Sequence, residues 1–245
     1  MPSSSPYLSG PVQVTAQGVH SSSSDKLHNL GETVFANDGR AYKYCLAGAS
    51  ALVAGNLQQS SVQDTSEHDL TAVAAAVGDL VIATSESLTI DANEYAEGWA
   101  VISVTPGVGR IYKVKGHAAF SAAAATFNLF EPIEVALTTT SRFDMVHNPY
   151  WKVIINPTTQ TRAPIGVAVH PVAASEYGWL QVAGITCVEF EGAGTVGLPV
   201  VASDTDNGTV ETIADGAHEL LTVVGTAYTT VADGEMGAVL LHGLL

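Results

Sequence analysis

Residues 163–190 read APIGVAVHPVAASEYGWLQVAGITCVEF, and the fold turns on how that stretch is taken. Two apolar runs, 165–169 and 179–182, flank a polar tip of Ser175, Glu176, Tyr177 and Gly178. Val and Trp suit a pleated surface, and Pro171 closes the first run because it has no N–H to give to a ladder. Gly178 can take the positive φ needed where a chain reverses. The stretch is therefore expected to form a strand, a loop and a returning strand.

The same phrase occurs twice more. Residues 78–83 (GDLVIA) lead to Glu94-Tyr95-Ala96-Glu97-Gly98-Trp99-Ala100-Val101, and Val224-Gly225-Thr226-Ala227 leads to Asp233-Gly234-Glu235-Met236-Gly237-Ala238-Val239. A phrase restated along a chain predicts one hairpin unit used repeatedly.

Outward from these stretches the punctuation stays the same. Thr33-Val34-Phe35 and 41–45 flank Asn37-Asp38-Gly39, residues that supply the turn of a tight hairpin. Further strands are expected at 78–83, 87–90, 94–104, 110–114, 127–130, 133–137, 151–155, 165–169, 179–183, 186–190, 198–202, 209–213, 220–224 and 238–241. The small-residue run 118–125 reads as a single helical turn or a loop. No amphipathic helix of three turns is legible. Short strands divided by Gly and Asp turns predict an all-β chain of antiparallel β-sandwich or small β-barrel units built from repeated hairpins. Residues 1–30, rich in Ser, Pro and Gly, read as an extended N-terminal arm that cannot bury enough to fold alone. Its β-like pieces are Tyr7-Leu8 and 11–15, so Tyr7, Leu8, Val12 and Val14 are candidate interface residues. The remainder is expected to divide into 31–160 and 161–245, which can pack as one unit.

Composition narrows the function. Charged residues are 13% of the 245, and hydrophobic residues 47%. The charged fraction is about half the usual share, so surface must be covered by small neutral residues or meant for a partner. The net charge is −15, with no cluster of Lys and Arg. That argues against a nucleic-acid or anionic-membrane partner, because phosphate contact needs clustered cations. No stretch reads as a signal peptide or approaches the ~18 apolar residues of a membrane span. The two cysteines, Cys45 and Cys187, lie in apolar strand-like runs and read as buried free thiols; they can pair only if their strands adjoin.

Catalytic motifs are missing. There is no Gly-x-Ser-x-Gly elbow. The eight histidines, His20, His28, His68, His117, His147, His170, His218 and His242, include no pair close enough to hold zinc from one element. Asp204-Thr205-Asp206-Asn207-Gly208 resembles the start of a calcium loop, but Gly208 comes early and position 215 is Asp, so a hairpin turn is the better reading. Glu94, Glu97, Glu176, Glu189 and Glu191 are acids of the right type for glycoside hydrolysis without supporting spacing. No enzyme activity, cofactor or metal is expected. Trp99 and Trp179 are taken as core anchors. Tyr95 and Tyr177, at the loop side, remain open between core and an exposed interface or sugar-stacking face.

Leu30-Gly31-Glu32-Thr33-Val34 through Asp38-Gly39-Arg40-Ala41-Tyr42-Lys43-Tyr44, with Ala47-Gly48-Ala49 and Leu52-Val53-Ala54-Gly55, resembles the opening of tailed-bacteriophage virion proteins. So do Asp91-Ala92-Asn93-Glu94-Tyr95, Gly109-Arg110-Ile111-Tyr112-Lys113-Val114, and Tyr177-Gly178-Trp179-Leu180-Gln181-Val182-Ala183-Gly184. The likeness covers most of residues 28–245. It implies a capsid decoration or cement protein on the outer surface of the head, with the major capsid protein as partner and a homo-oligomer, trimer favoured. The acidic composition agrees, since packaged DNA would repel it. The alternatives are a virion adhesion protein that binds carbohydrate through Tyr95 and Tyr177, another head or tail component, and, weakest, a glycosidase.

Overall fold

The computed structural model describes residues 17–62, 65–213 and 221–244. The chain is all-β, 47% strand, in antiparallel sheets that form a half-barrel and a nearly closed barrel. The expected pieces at 7–8 and 11–15 lie outside the described residues, as does residue 220, the first of the strand expected at 220–224.

Contacts divide the chain into one unit of residues 1–62 and 149–245 and a second of residues 63–148. The boundary expected near residue 160 is therefore not the one the chain uses. Strand β3 (Leu57–Gln59), before the insertion, pairs with both β10 (Ile154–Ile155) and β11 (Pro164–Ala168) after it. Pairing across the insertion ties the early strands to the late ones. Within the expected arm, Val19 and Leu30 are buried in the core of the first unit and Ser23 bridges Tyr177, so residues 17–30 pack as part of that unit.

The decisive stretch behaves as the alternation of small and apolar residues dictates. Strand β11 returns as β12 (Tyr177–Glu189), with Val167 opposite Gln181 and Ala168 opposite Leu180. The positive φ of the turn falls on Ser175 (60°), not on Gly178. Gly178 serves another end. A Cβ there would strike the side chain of Val172, so its absence lets the loop valine lie on the strand. The expected strands 179–183 and 186–190 are one. Gly184 (φ 82°) kinks β12 without ending it, and the strand changes partner there from β2 (Ala41–Leu46) to β16 (Met236–His242).

The closing phrase is a second copy of the same hairpin. Strand β15 (Val223–Ala227) pairs with β16, with Ala227 opposite Val239. Gly166 and Gly225, Ala168 and Ala227, Val172 and Val231, Glu176 and Glu235, Gly178 and Gly237, and Gly184 and Gly243 each lie 59 positions apart. Ser175 and Gly234 carry the turn's positive φ, at 60° and 72°. Each loop valine makes a bridge to an earlier segment, Val172 to Leu52 and Val231 to Gly194. With β13 (Pro199–Ala202) and β14 (Val210–Thr212), the strand order is palindromic: β10-β3-β11-β12-β16-β15-β13-β14. Ala183 pairs with His242, its own counterpart in the second copy, so a local pseudo-dyad passes between them. Strand β1 (Thr33–Phe35) forms the expected hairpin with β2 around Gly39 (φ 88°). Two buried clusters fill this unit, one around Tyr42, Tyr44 and Trp179 and one around Val188, Phe190 and Val239.

The inserted unit is one sheet in the order β4-β9-β6-β7-β8-β5, made of β4 (Leu70–Thr71), β5 (Val81–Ile90), β6 (Trp99–Val104), β7 (Ile111–Gly116), β8 (Phe120–Leu129) and β9 (Arg142–Val146). Here the repeated phrase does not make a hairpin. Strand β5 pairs with β8, while β6 lies between β7 and β9. The run 118–125 forms no helical turn, and only residues 118 and 119 are loop. From Phe120 it is strand, because β5 offers a ladder from Val81–Asn128 to Ile90–Phe120 that outweighs the helix preference of alanine. Of the strand expected at 151–155 only Ile154–Ile155 forms, since Lys152 takes φ 47° and lays its ammonium over Trp151, 4.2 Å from the ring centre. Residues 133–137 make one bridge, Leu137 to Ala75, and no strand.

Candidate docking surface

The outer face of the inserted sheet brings aromatic, aliphatic and cationic side chains together. Alternation places Ala100 and Ile102 of β6 in the core, which turns Trp99 and Val101 outward. Trp99 stands opposite Lys113 of β7 and Val146 of β9, and Val101 opposite Ile111 and Asp144. Residues opposite one another share a face. The Phe130 N–H donates to the Lys113 carbonyl (2.9 Å), and the Lys113 ammonium lies 5.9 Å from the Phe130 ring centre. A row Val146–Trp99–Lys113–Phe130 thus crosses the sheet.

Its exposure is unusual for its chemistry. Phe130 is 52% and Ile111 56% exposed, and Trp99 is half-buried. Lys115, two residues beyond Lys113 on the same side, is exposed. Arg110, Lys113 and Lys115 are three of the nine basic residues in a chain of net charge −15. Acidic groups rim the face: Glu134 pairs with Arg110 (3.0 Å), and the Glu131 carboxylate accepts from the Lys113 N–H (3.2 Å). Gly98 sets the tryptophan in place, since any Cβ would strike the Val146 carbonyl. The tryptophan after the glycine is therefore a surface residue at 99 and a core residue at 179, where it is 1% exposed. Sequence alone did not separate the two. The clue was Lys113 itself, a charge between Tyr112 and Val114, which the alternation of a strand turns away from them.

The other candidates fall elsewhere. Tyr95 is fully buried, stacked on His147 with centroids 4.2 Å apart, so it cannot present a ring to a sugar or a partner. Loop 91–98 curls inward instead, with positive φ at Asn93 and Glu97. Tyr177 is half-buried and stacked on Tyr44 at 5.7 Å. Tyr7, Leu8, Val12 and Val14 lie outside the described residues. Cys45 is buried and Cys187 exposed, both free. Cys45 sits opposite Gly178, nine residues along β12 from Cys187, about 30 Å at the usual strand rise, so the two do not pair. Residues 204–208 form the β13–β14 turn, with Ala202 opposite Val210, and the Asn207 side-chain oxygen accepts from the Thr158 N–H (3.0 Å). Among the described residues no three His, Cys, Asp or Glu converge to hold a metal.

Beneath Tyr95 lies one titratable group with a defined tautomer. His117 Nε2 accepts from the Tyr95 N–H (3.0 Å), and Nδ1 donates to the Ala118 carbonyl (2.9 Å). A second proton would set an N–H against an N–H. Burial lowers its pKa, opposed by the Ala118 carbonyl and the Glu94 charge. The folded value lies below the unfolded one, so the unfolded chain binds the proton first. Stability is then fully present above about pH 6.5 and declines as pH falls through the folded pKa. Urea midpoints of the inserted unit should be lower at pH 5 than at pH 7.5, and His117→Gln should reduce the difference. An unchanged difference in the variant would assign it to other groups.

No known family, curated protein or solved structure matches this chain.

Proposed function

We propose that the chain is a structural virion protein of a tailed bacteriophage, a decoration protein that binds the outside of the major capsid lattice and stabilises the head. The observation that carries this reading is the outward row of Trp99, Lys113 and Phe130 with Ile111 beside it. Aromatic anchors such as Trp at the centre of an interface supply most of its free energy, a Lys stem beside them adds covered apolar area, and the acidic rim keeps the free subunit soluble. The sequence resemblance to virion proteins supports it further.

The mechanism is clamping. Apolar area buried across a capsomer boundary, at about 25 cal/mol per Å², must be re-exposed before the shell can open. Repetition over the lattice multiplies a modest contact. Head-located copies, each making several weak contacts, gain affinity from one another.

The test uses heads assembled without the protein, to which purified chain is added back. Wild type is expected to co-sediment with them and to raise the temperature at which they release DNA. Trp99→Ala and Lys113→Glu should each weaken binding by at least about tenfold, the size expected of central interface residues. Circular dichroism on both variants separates lost binding from lost folding. Heads that survive heat equally with and without the chain would sink the cement role.

A further inference from the structure

The first unit holds a groove of about 630 Å³ beside the outward face of β12 and β16. Ile185 and Met236, 45% and 49% exposed, line it together with Val169 and the free Cys187. Its polar lining includes His20 and Arg40 and no carboxylate, in a chain with 24 acidic residues. Gly55 keeps it open. A Cβ there would lie 2.6 Å from the Met236 methyl carbon.

The described chain begins at its rim. Gln17 is 4% exposed and held from three sides: its amide donates to the carbonyls of Ser21 (2.8 Å) and Tyr177 (3.0 Å), and its oxygen accepts from the Tyr44 hydroxyl (2.9 Å). Three residues on, His20 forms part of the groove wall. Residues 1–16 therefore leave from a fixed point next to it. Their sequence, MPSSSPYLSGPVQVTA, has no charged side chain and carries Tyr7, Leu8, Val12 and Val14. Such a segment brings no ion of its own to bury, and its backbone carbonyls can accept from the Arg40 and His20 side chains in the wall. At about 3.3 Å per extended residue it can reach about 50 Å, more than the groove needs. A short tether gives it a local concentration in the millimolar range. A second copy would approach against the repulsion of two chains at −15 each.

We propose that residues 1–16 of the same chain occupy this groove, with Val12 and Val14 against Ile185 and Met236. The proposal concerns the isolated chain and does not depend on capsid binding.

Cys187 is a built-in reporter. Cys45 is silent toward thiol reagents, because it is buried and its thiol is pushed up to about 12. The rate of Cys187 modification by a maleimide is measured on the full chain, on a chain lacking residues 1–16, and on the full-length V12D/V14D variant, which serves if the deletion does not fold. Cys187 is expected to react at least about tenfold faster in the deletion and in V12D/V14D, as for a groove filled nine-tenths of the time. The slow rate of the full chain should not change with protein concentration. Equal rates in all three would overturn the proposal. Protection that grows with protein concentration would also overturn it, by showing that another copy fills the groove.

Discussion

Phe127→Ala is expected to destabilise the inserted unit by about 3–5 kcal/mol, the range for removing a buried aromatic ring. Phe127 is fully buried at the centre of the 63–148 core. Its ring meets Tyr95 edge-on at 6.3 Å, His117 at 5.1 Å, Phe143 at 6.4 Å and Phe120 at 6.5 Å, so one deletion removes four ring contacts and leaves a cavity. Whole domains are stable by only about 5–15 kcal/mol, so the loss is a large share. The strands around it are poorly placed to collapse. Ile82, opposite Phe127, is itself fully buried, and Ala125, the next inward residue of β8, is too small to refill the space. Amide exchange across 63–148 in rising urea measures the effect. A change below about 1 kcal/mol would mean that pairing of β5 with β8, and not the aromatic cluster, holds the unit together.

The two halves of the chain were unequally legible, and the reason is physical. In the first unit each strand is bracketed by its own turn chemistry. Asn37-Asp38-Gly39, Asn207-Gly208 and Asp233-Gly234 fix where the chain reverses, so β1 with β2, β13 with β14 and β15 with β16 could be read locally. In the inserted unit the pairing is decided by residues far apart. Strand β8 is alanine-rich, and its alanines find their ladder on β5 alone, since β7 pairs only with its far end. Local patterning carries no record of that partner. The same limit explains the repeated phrase: residues 78–83 and 94–101 look like a hairpin, yet β6 finds β7 and β9 instead. The candidate surface was half visible. Lys113 between Tyr112 and Val114 reads as outward, but that Trp99 stands opposite it follows only from the register. Tyr95 failed as a surface residue because Asn93 and Glu97 turn its loop inward; Asn93 marks a turn, but the positive φ of Glu97, a residue with no preference for it, leaves no mark in sequence.

Trp179→Ala is expected to cost the first unit about 3–5 kcal/mol and, more tellingly, to release residues 17–32. Trp179 is 1% exposed and lies opposite Tyr44 in register. Its ring meets Tyr44 at 5.0 Å and His28 at 5.1 Å, and Tyr44 in turn stacks on Tyr177. The Tyr44 hydroxyl accepts from the Leu27 N–H (3.2 Å) and donates to the Gln17 oxygen, so the tryptophan positions the group that anchors the incoming chain. Exchange at two amides reads this directly, because Ser23 and Tyr177 donate to each other's carbonyls at 3.0 and 2.8 Å. Both should lose protection in Trp179→Ala, and Trp179→Phe, which keeps most of the ring, should restore much of it. The groove gives a second readout. If Gln17 is the fixed point from which residues 1–16 reach it, loosening Gln17 lengthens the effective tether and lowers local concentration, so Cys187 should react faster in Trp179→Ala than in Trp179→Phe. Protected amides at Ser23 and Tyr177 in the alanine variant would show that the backbone bridge alone holds the segment, with the aromatic cluster serving only as filling.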